Sequence, residues 1–549
     1  MPENSEPGPS TPGSASDDST QSQTSPSDTT PTASPTPTTS PTPPVLKPGP
    51  IPPYPAPIPT LPPRLRWWTW YESNVIFPRT TLLVVAAMGI VGAVCWRIDE
   101  TGIGTTLTGI AALAAVLATA PADFRTRNSP YWVVITVGIL GLVAVPTFRD
   151  ADWVSALCIV AAIAAGAVLF VEAHGLRGLW LAALSPLFAP VAGFAALFRR
   201  PPKPPRPDAR QHSALILFVA VTTILLLIVF GALFASADAT FGSLFDFDLT
   251  NPVGPDLAAA LIAGVVIALF TLGGAFLTAQ GTRYPSRPER DLPPPWAWAV
   301  PVGALLAMFV LFLGVQATAM FGGDDFVQKT AGLTYSQYAV QGFWQLLVVG
   351  ILVIGVAIIA WYFVDVDDPR SRISARVLLG GLCVATLAVG ASAIHRMTRY
   401  INAYGMTEDR IFGIFVELLV GMVMIGFLVA GARMNIAGLT RTLVALGIFA
   451  TLGFALFNPE RYIAHYNVER YESTGKVDAY FLGGLSADAA SQFDRLPTDL
   501  RKCAEWRYAQ KPDNQSWREF SFARHTPAAP TIDDRSYYQT NCSIHRGYR

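Results

Sequence analysis

From Arg79 to Phe457 the chain repeats one pattern, a long apolar run closed by a short polar or charged break. The runs fall near 80–96, 103–120, 131–148, 153–171, 179–198, 213–235, 256–279, 297–321, 340–363, 376–394, 411–430 and 439–457. Each is long enough to cross about 30 Å of hydrocarbon at about 1.5 Å of helical rise per residue. Backbone groups in lipid have to be hydrogen-bonded within their own segment, so the pattern predicts helices. The run at 179–198 carries Pro186 and Pro190, and reads either as a crossing or as a kinked, re-entrant or surface helix.

The expected fold is all-α: a polytopic membrane helical bundle of 11 or 12 spans, with a disordered N-terminal tail and a small, mainly helical C-terminal module. Residues 1–60 form the tail, 79–198 a first set of membrane helices and 199–212 a basic, Pro-rich loop. Residues 213–457 form a second membrane set, and 458–549 the module. Within the module, Asn458 with Pro459 suits a helix start, as does Ser486, and Trp506 and Trp517 are candidates for a small core.

Basic residues orient the bundle, because short cytoplasmic loops carry the excess of Lys and Arg. Arg199, Arg200, Lys203, Arg206 and Arg210 place loop 199–212 inside the cell. Alternation then puts Asp238, Asp246 and Asp248 outside, Arg283, Arg287 and Arg290 inside, Asp324 and Asp325 outside, and Arg370 and Arg372 inside. The module falls outside, at the extracytoplasmic face of a cell membrane. Arg64, Arg66 and Arg79 favour a cytoplasmic N-terminus, which needs an even number of crossings before Arg199. Five runs precede it, so either the N-terminus is outside or 179–198 does not cross.

Composition narrows the function. Only 14% of the 549 residues are charged against 51% apolar, which excludes an ordinary water-soluble enzyme. Lys and Arg number 39 and so do Asp and Glu, so charge gives no nucleic-acid partner. The tail is Pro, Ser and Thr, a composition that cannot bury enough surface to fold. Cys503 and Cys542 are the only cysteines of the module, and on an oxidising face they are a candidate disulfide.

Catalytic motifs are missing. No Walker loop, H-E-x-x-H or G-x-S-x-G occurs, and the six histidines show no metal-ligand spacing. Neither a catalytic centre nor a cofactor is therefore expected. The bilayer and an envelope protein are the partners that the architecture suggests.

Two polar groups stand out. Glu417 lies inside the run 411–430, where an ionised carboxylate costs several kcal/mol unless paired or protonated. Gly413 and Gly421 share its helix face and would admit a neighbouring helix, while Arg410 lies two turns away as a candidate partner. Glu417 reads as an ion or proton site, or as a structural glutamate satisfied in the bundle. Arg396, Arg399, Tyr400, Tyr404 and Arg410 form a basic, aromatic rim between two spans. It suits an anionic ligand such as lipid phosphate, and equally a set of interfacial anchors.

From about 213 to 524 the chain resembles a bacterial multi-span membrane family catalogued as domain of unknown function 4173. The resemblance is carried by Phe234–Asp238, Gly332–Tyr335 with Tyr338 and Gly342–Phe343, and Arg396–Arg410 with Tyr400, Tyr404, Gly405 and Thr407. Further on it includes Asn458–Pro459, Ala464, Tyr466–Asn467, Arg470, Leu485–Ala489, Trp517–Arg518 and Arg524. It implies a multi-span fold and brings no activity with it.

Two functions follow as expectations: a transporter or channel-like protein for a small ion or a lipid-linked solute, or a non-enzymatic envelope scaffold or sensor. A cavity reaching Glu417 favours the first; a tight helix contact there favours a structural role for that residue.

Overall fold

The computed structural model describes residues 75–97, 101–125, 130–171, 176–198, 255–280, 294–321, 342–365, 367–433, 437–505, 516–525 and 542. The expected tail 1–60, loop 199–212, run 213–235, the aspartates at 238, 246, 248, 324 and 325, and Trp506 lie outside them.

Among the described residues every regular element is helical. The first six long helices are α1 Arg79–Cys95, α2 Ile103–Thr119, α3 Pro130–Phe148, α4 Asp152–Val171, α5 Leu176–Leu197 and α6 Pro255–Gln280. The next six are α7 Trp296–Phe321, α8 Phe343–Phe363, α9 Pro369–Tyr404, α10 Glu408–Arg433, α11 Ala437–Phe457 and α12 Pro459–Thr474. A single helical turn at Ala479–Leu482, a 3-10 segment at Ala487–Arg495, α13 at Thr498–Ala504 and two short turns at Trp517–Glu519 and Phe522–His525 complete the described part of the C-terminal module.

Eight of these helices, α3, α4 and α6–α11, contain stretches long and apolar enough to cross a membrane. Shorter apolar helices occupy 79–95, 103–119 and 181–197. The faces turned away from the bundle are apolar too: Leu83 is 71% exposed, Leu187 65% and Leu311 64%. Such surfaces are stable against lipid and would associate in water. The protein is a multi-pass membrane protein.

Ends differ from expectation at one helix. α9 is 36 residues long, against a run of about 19 apolar residues in its middle. Asp368 starts it by accepting from the amides of Arg370 and Ser371 at 3.3 and 2.9 Å, with Pro369 in the first turn. Nothing breaks the helix before Gly405, whose φ of 87° ends it. The candidate rim Arg396–Tyr404 therefore lies on the last turns of a continuous helix, beyond the apolar run 376–394 and up to the glycine suited to end it.

Three apolar clusters hold the bundle. One joins α3, α4, α5 and α6 to α11 through Ile135, Leu142, Val154 and Phe276. A second joins α7–α11 through Val353, Leu382 and Met424. The third lies under the module and unites Phe343, Phe415 and Phe454 of the bundle with Ile463, Leu482, Phe493 and Cys503. Trp517, expected in the module's core, is instead 53% exposed; the apolar face of α12 and the 3-10 segment fills that core without it.

Candidate functional site

Glu417 is 95% buried by its 5% exposure, in the middle of α10. Gly390 of α9 makes its room: a Cβ there would run into Glu417 Oε1. Its flanking glycines meet other side chains, Gly413 facing Phe343 of α8 and Gly421 facing Leu387 of α9. Oε2 has no hydrogen-bond partner among the described residues. Arg410 is turned away from it. Its guanidinium lies 4.2 Å over the Tyr400 ring and donates through Nη1 to the Gly405 carbonyl. No ion pair joins Arg410 to Glu417 among the described residues.

The rings of Tyr400 and Tyr404 pack at 4.8 Å, tilted by 43°, so the rim is a packed aromatic–arginine cluster. Arg399 is exposed and Arg396 half-buried. The module braces this end of α9. Asn467 of α12 accepts from the Met406 amide at 3.1 Å and donates to the Met406 carbonyl at 2.8 Å. Arg470 donates to the Ala403 carbonyl at 2.7 Å, and Tyr466 to Asn402 at 2.8 Å. Gly405 is required twice, by its left-handed φ and because a Cβ would strike Asn467 Oδ1.

A second polar centre, not expected from the sequence, joins the module to the α3–α4 turn. Asp150, Glu460 and Asp488 are 2%, 1% and 6% exposed. Asp488 accepts from the amides of Asp150 and Ala151 at 2.6 and 3.0 Å and from Asn458 Nδ2 at 3.3 Å. Asp150 accepts from the Ala487 amide at 2.9 Å and pairs with Arg524. Arg149 reaches Asp488 at 3.4 Å and caps the end of α11, donating to the carbonyls of Ala455 and Leu456 at 3.0 and 2.8 Å. Asn458 turns the chain between α11 and α12 in the left-handed conformation and caps α12 through the Arg461 amide.

Glu460 differs from its two neighbours. Its donors are neutral: Trp153 Nε1 at 3.0 Å, the Ser486 amide at 2.7 Å and the Ser486 hydroxyl. Burial raises its pKa to about 7, opposed by the Ser486 hydrogen bonds and assisted by the charges of Glu408 and Asp488. Asp488 is also raised by burial, against the lowering effect of the two amides and Arg149. Three acids thus meet two arginines, and Glu460 is the acid without a cation among the described residues. Ser486, Asp488 and Arg524 stood among the residues that carry the resemblance; their proximity to charges at the end of α3 was the missing part.

Cys503 and Cys542 form a disulfide, with Cα atoms 5.6 Å apart. No cluster of three or more His, Cys, Asp or Glu is arranged to hold a metal among the described residues.

A cavity of about 250 Å³ opens between α2, α4, α5 and α6, with Ile139 and Val143 of α3 at its wall. Its surface is almost wholly apolar. The hydroxyls of Thr108, Ser185 and Thr271 bond to carbonyls of their own helices at 2.8, 3.0 and 2.8 Å, leaving carbon toward the space. Gly166, Gly273 and Gly274 line it beside Pro186 and Pro190. Glu417 is not in its wall.

The fold and these centres define a multi-pass helical membrane protein in which a C-terminal module grips the turns at one end of the bundle. The profile of the family described as Domain of unknown function (DUF4153) matches residues 134–496, and the chain belongs to that family. This corrects the resemblance to domain of unknown function 4173: the matching family is a different one, and it begins within α3 rather than near residue 213. No curated protein and no solved structure matches the chain.

Proposed function

We propose that this membrane protein takes the hydrocarbon chain of a lipid or lipid-linked solute into the cavity between α2, α4, α5 and α6. The cavity itself carries the reading: a space of about 250 Å³ with an apolar wall inside a membrane bundle suits acyl or polyprenyl chain and repels a hydrated ion. The module then lies on the extracytoplasmic face, which the disulfide and the distribution of Lys and Arg support.

Photo-crosslinking with a diazirine-bearing acyl lipid tests it. A Cβ at Gly166 meets only Phe170 at 3.5 Å, so Gly166→Leu fills the space without a backbone clash. Crosslinking to peptides of α4 and α5 is expected to fall severalfold at unchanged thermal stability. Equal crosslinking in Gly166→Leu and in a second filling variant, Ala162→Phe, defeats the reading.

A second reading, an ion-coupled pathway, is favoured by the unpartnered oxygen of Glu417. The direct contact of that carboxyl with Gly390, away from the cavity, counts toward a structural role.

A further inference from the structure

The C-terminal module exposes large aromatic residues where a water-facing domain would bury or avoid them. Trp517 is 53% exposed, Phe522 58% and Tyr462 37%. Their neighbours are the ends of membrane helices. Phe148, the last residue of α3 and 55% exposed, stacks on Phe522 at 5.4 Å and 13°. Phe520 packs on Phe522 at 5.2 Å, extending the patch toward Trp517. Phe457, the last residue of α11 and 54% exposed, packs on Tyr462 at 5.1 Å beside Leu456, itself 66% exposed. Arg149 links the two groups, because it follows Phe148 in the chain and donates to the Leu456 carbonyl.

Depth follows from this continuity. α3 and α11 both contain candidate spans, so Phe148 and Phe457 mark where those helices leave hydrocarbon. A ring stacked on Phe148 lies at the same level. Two arginines stand beside the aromatic residues. Arg461 precedes Tyr462, and the Arg518 guanidinium is 6.0 Å from the Trp517 ring. Neither makes a side-chain ion pair among the described residues. Trp and Tyr with adjacent Arg are the residues that a headgroup layer selects, the rings among glycerol and upper acyl carbons and the guanidinium on phosphate.

We infer that the edge of the module formed by Tyr462, Trp517, Phe520 and Phe522 rests in the headgroup layer of the leaflet on its own side, with Arg461 and Arg518 binding anionic phospholipid. The module is then a part of the membrane boundary, held by the buried charges within and by lipid at its rim. The inference is independent of what enters the cavity.

The test uses the full chain in nanodiscs containing phosphatidylglycerol, with Cys95, Cys158 and Cys383 replaced by Ala and the disulfide retained. Nitroxide is attached in turn through Phe522→Cys, Tyr462→Cys and, as control, Glu469→Cys, whose side chain is 67% exposed on α12. The ratio of oxygen to nickel-chelate relaxation is expected to be at least about threefold higher at 522 and 462 than at 469, as for groups sunk several ångströms into the interface. Two sites keep the test valid if loss of the Phe148 stack disturbs one of them. Ratios at both sites equal to that at 469 overturn the inference and mark the edge as facing water or awaiting a protein. A ratio at 522 unchanged by Arg461→Gln with Arg518→Gln, or by replacing phosphatidylglycerol with phosphatidylcholine, overturns the anionic-lipid part.

Discussion

Asp150 and Asp488 cap each other's chains: the Asp488 carboxylate accepts from the amides of Asp150 and Ala151, and the Asp150 carboxylate accepts from the amide of Ala487. The two residues are 338 positions apart. One terminates the α3 side of the bundle and the other opens the 3-10 segment of the module, so each is the other's local cap. Asp150→Ala leaves Arg524 buried beside an absent carboxylate. It is expected to cost about 3–5 kcal/mol, the usual cost of breaking one side of a buried pair. Thermal unfolding in detergent, with limited proteolysis between α11 and the module, measures it. A loss below about 1 kcal/mol, the scale of solvent-exposed ion pairs, shows that the network is open to solvent.

Glu460 makes module docking sensitive to pH. Its folded pKa of about 7 lies above the unperturbed 4.5, so the folded state keeps a proton that the unfolded state releases between those values. The stability contributed is complete below about pH 4.5 and is lost as pH rises through about 7. Glu460→Gln keeps an acceptor for Ser486 and cannot ionise. Its thermal stability at pH 8 is expected to exceed that of the unsubstituted protein, with a flatter profile between pH 5 and 8, as for removal of a buried charge. Identical profiles for the two proteins count against Glu460 as the group that titrates.

Glu417→Gln is expected to fold normally, because shape and hydrogen-bonding capacity are kept. Glu417→Leu is expected to lose about 1–3 kcal/mol if the carboxyl serves as a hydrogen-bonding group in the bundle. Proton-linked flux in proteoliposomes separates the readings. Pathway function requires Glu417→Gln to abolish it, and flux that persists with its pH dependence removes Glu417 from any pathway. Gly390→Ala should displace the Glu417 carboxyl, because its methyl would occupy the place of that oxygen.

Reducing the disulfide frees a connection spanning 39 residues. Loop-closure entropy puts the loss at about 4 kcal/mol. Reduction should therefore loosen the module before the bundle, read by proteolysis at α13 ahead of α10. On intact cells, a membrane-impermeant thiol reagent should label Cys503 and Cys542 only after reduction. Labelling that requires a permeabilised membrane reverses the assigned face.

The helices were legible because lipid allows one solution for a long apolar run, and expected ends such as 131–148 and 439–457 lie within two residues of α3 and α11. α9 ran longer because its ends are set by Asp368 and Gly405, not by hydropathy. Glu417 announced itself by being the only acid in its apolar run. Asp150, Glu460 and Asp488 did not, because charges at helix ends look like ordinary interfacial residues until distant parts of the chain are brought together. Arg410 misled for the opposite reason: sequence spacing offered Glu417, and Tyr400 across the turn was closer to hand.

The grip of the module on the turns has a consequence for synthesis. Asp150 leaves the ribosome 338 residues before Asp488, an interval on the order of tens of seconds at ordinary translation rates. Throughout it, the α3–α4 turn lacks its cap and Arg149 lacks Asp488, and for most of it Arg149 also lacks the end of α11. Ile103 likewise waits for the carbonyl of Phe520, to which its amide donates at 2.9 Å. The early helices are thus inserted first and locked last. A chain that stops short of Asp488 leaves the amides of Asp150 and Ala151 without that acceptor.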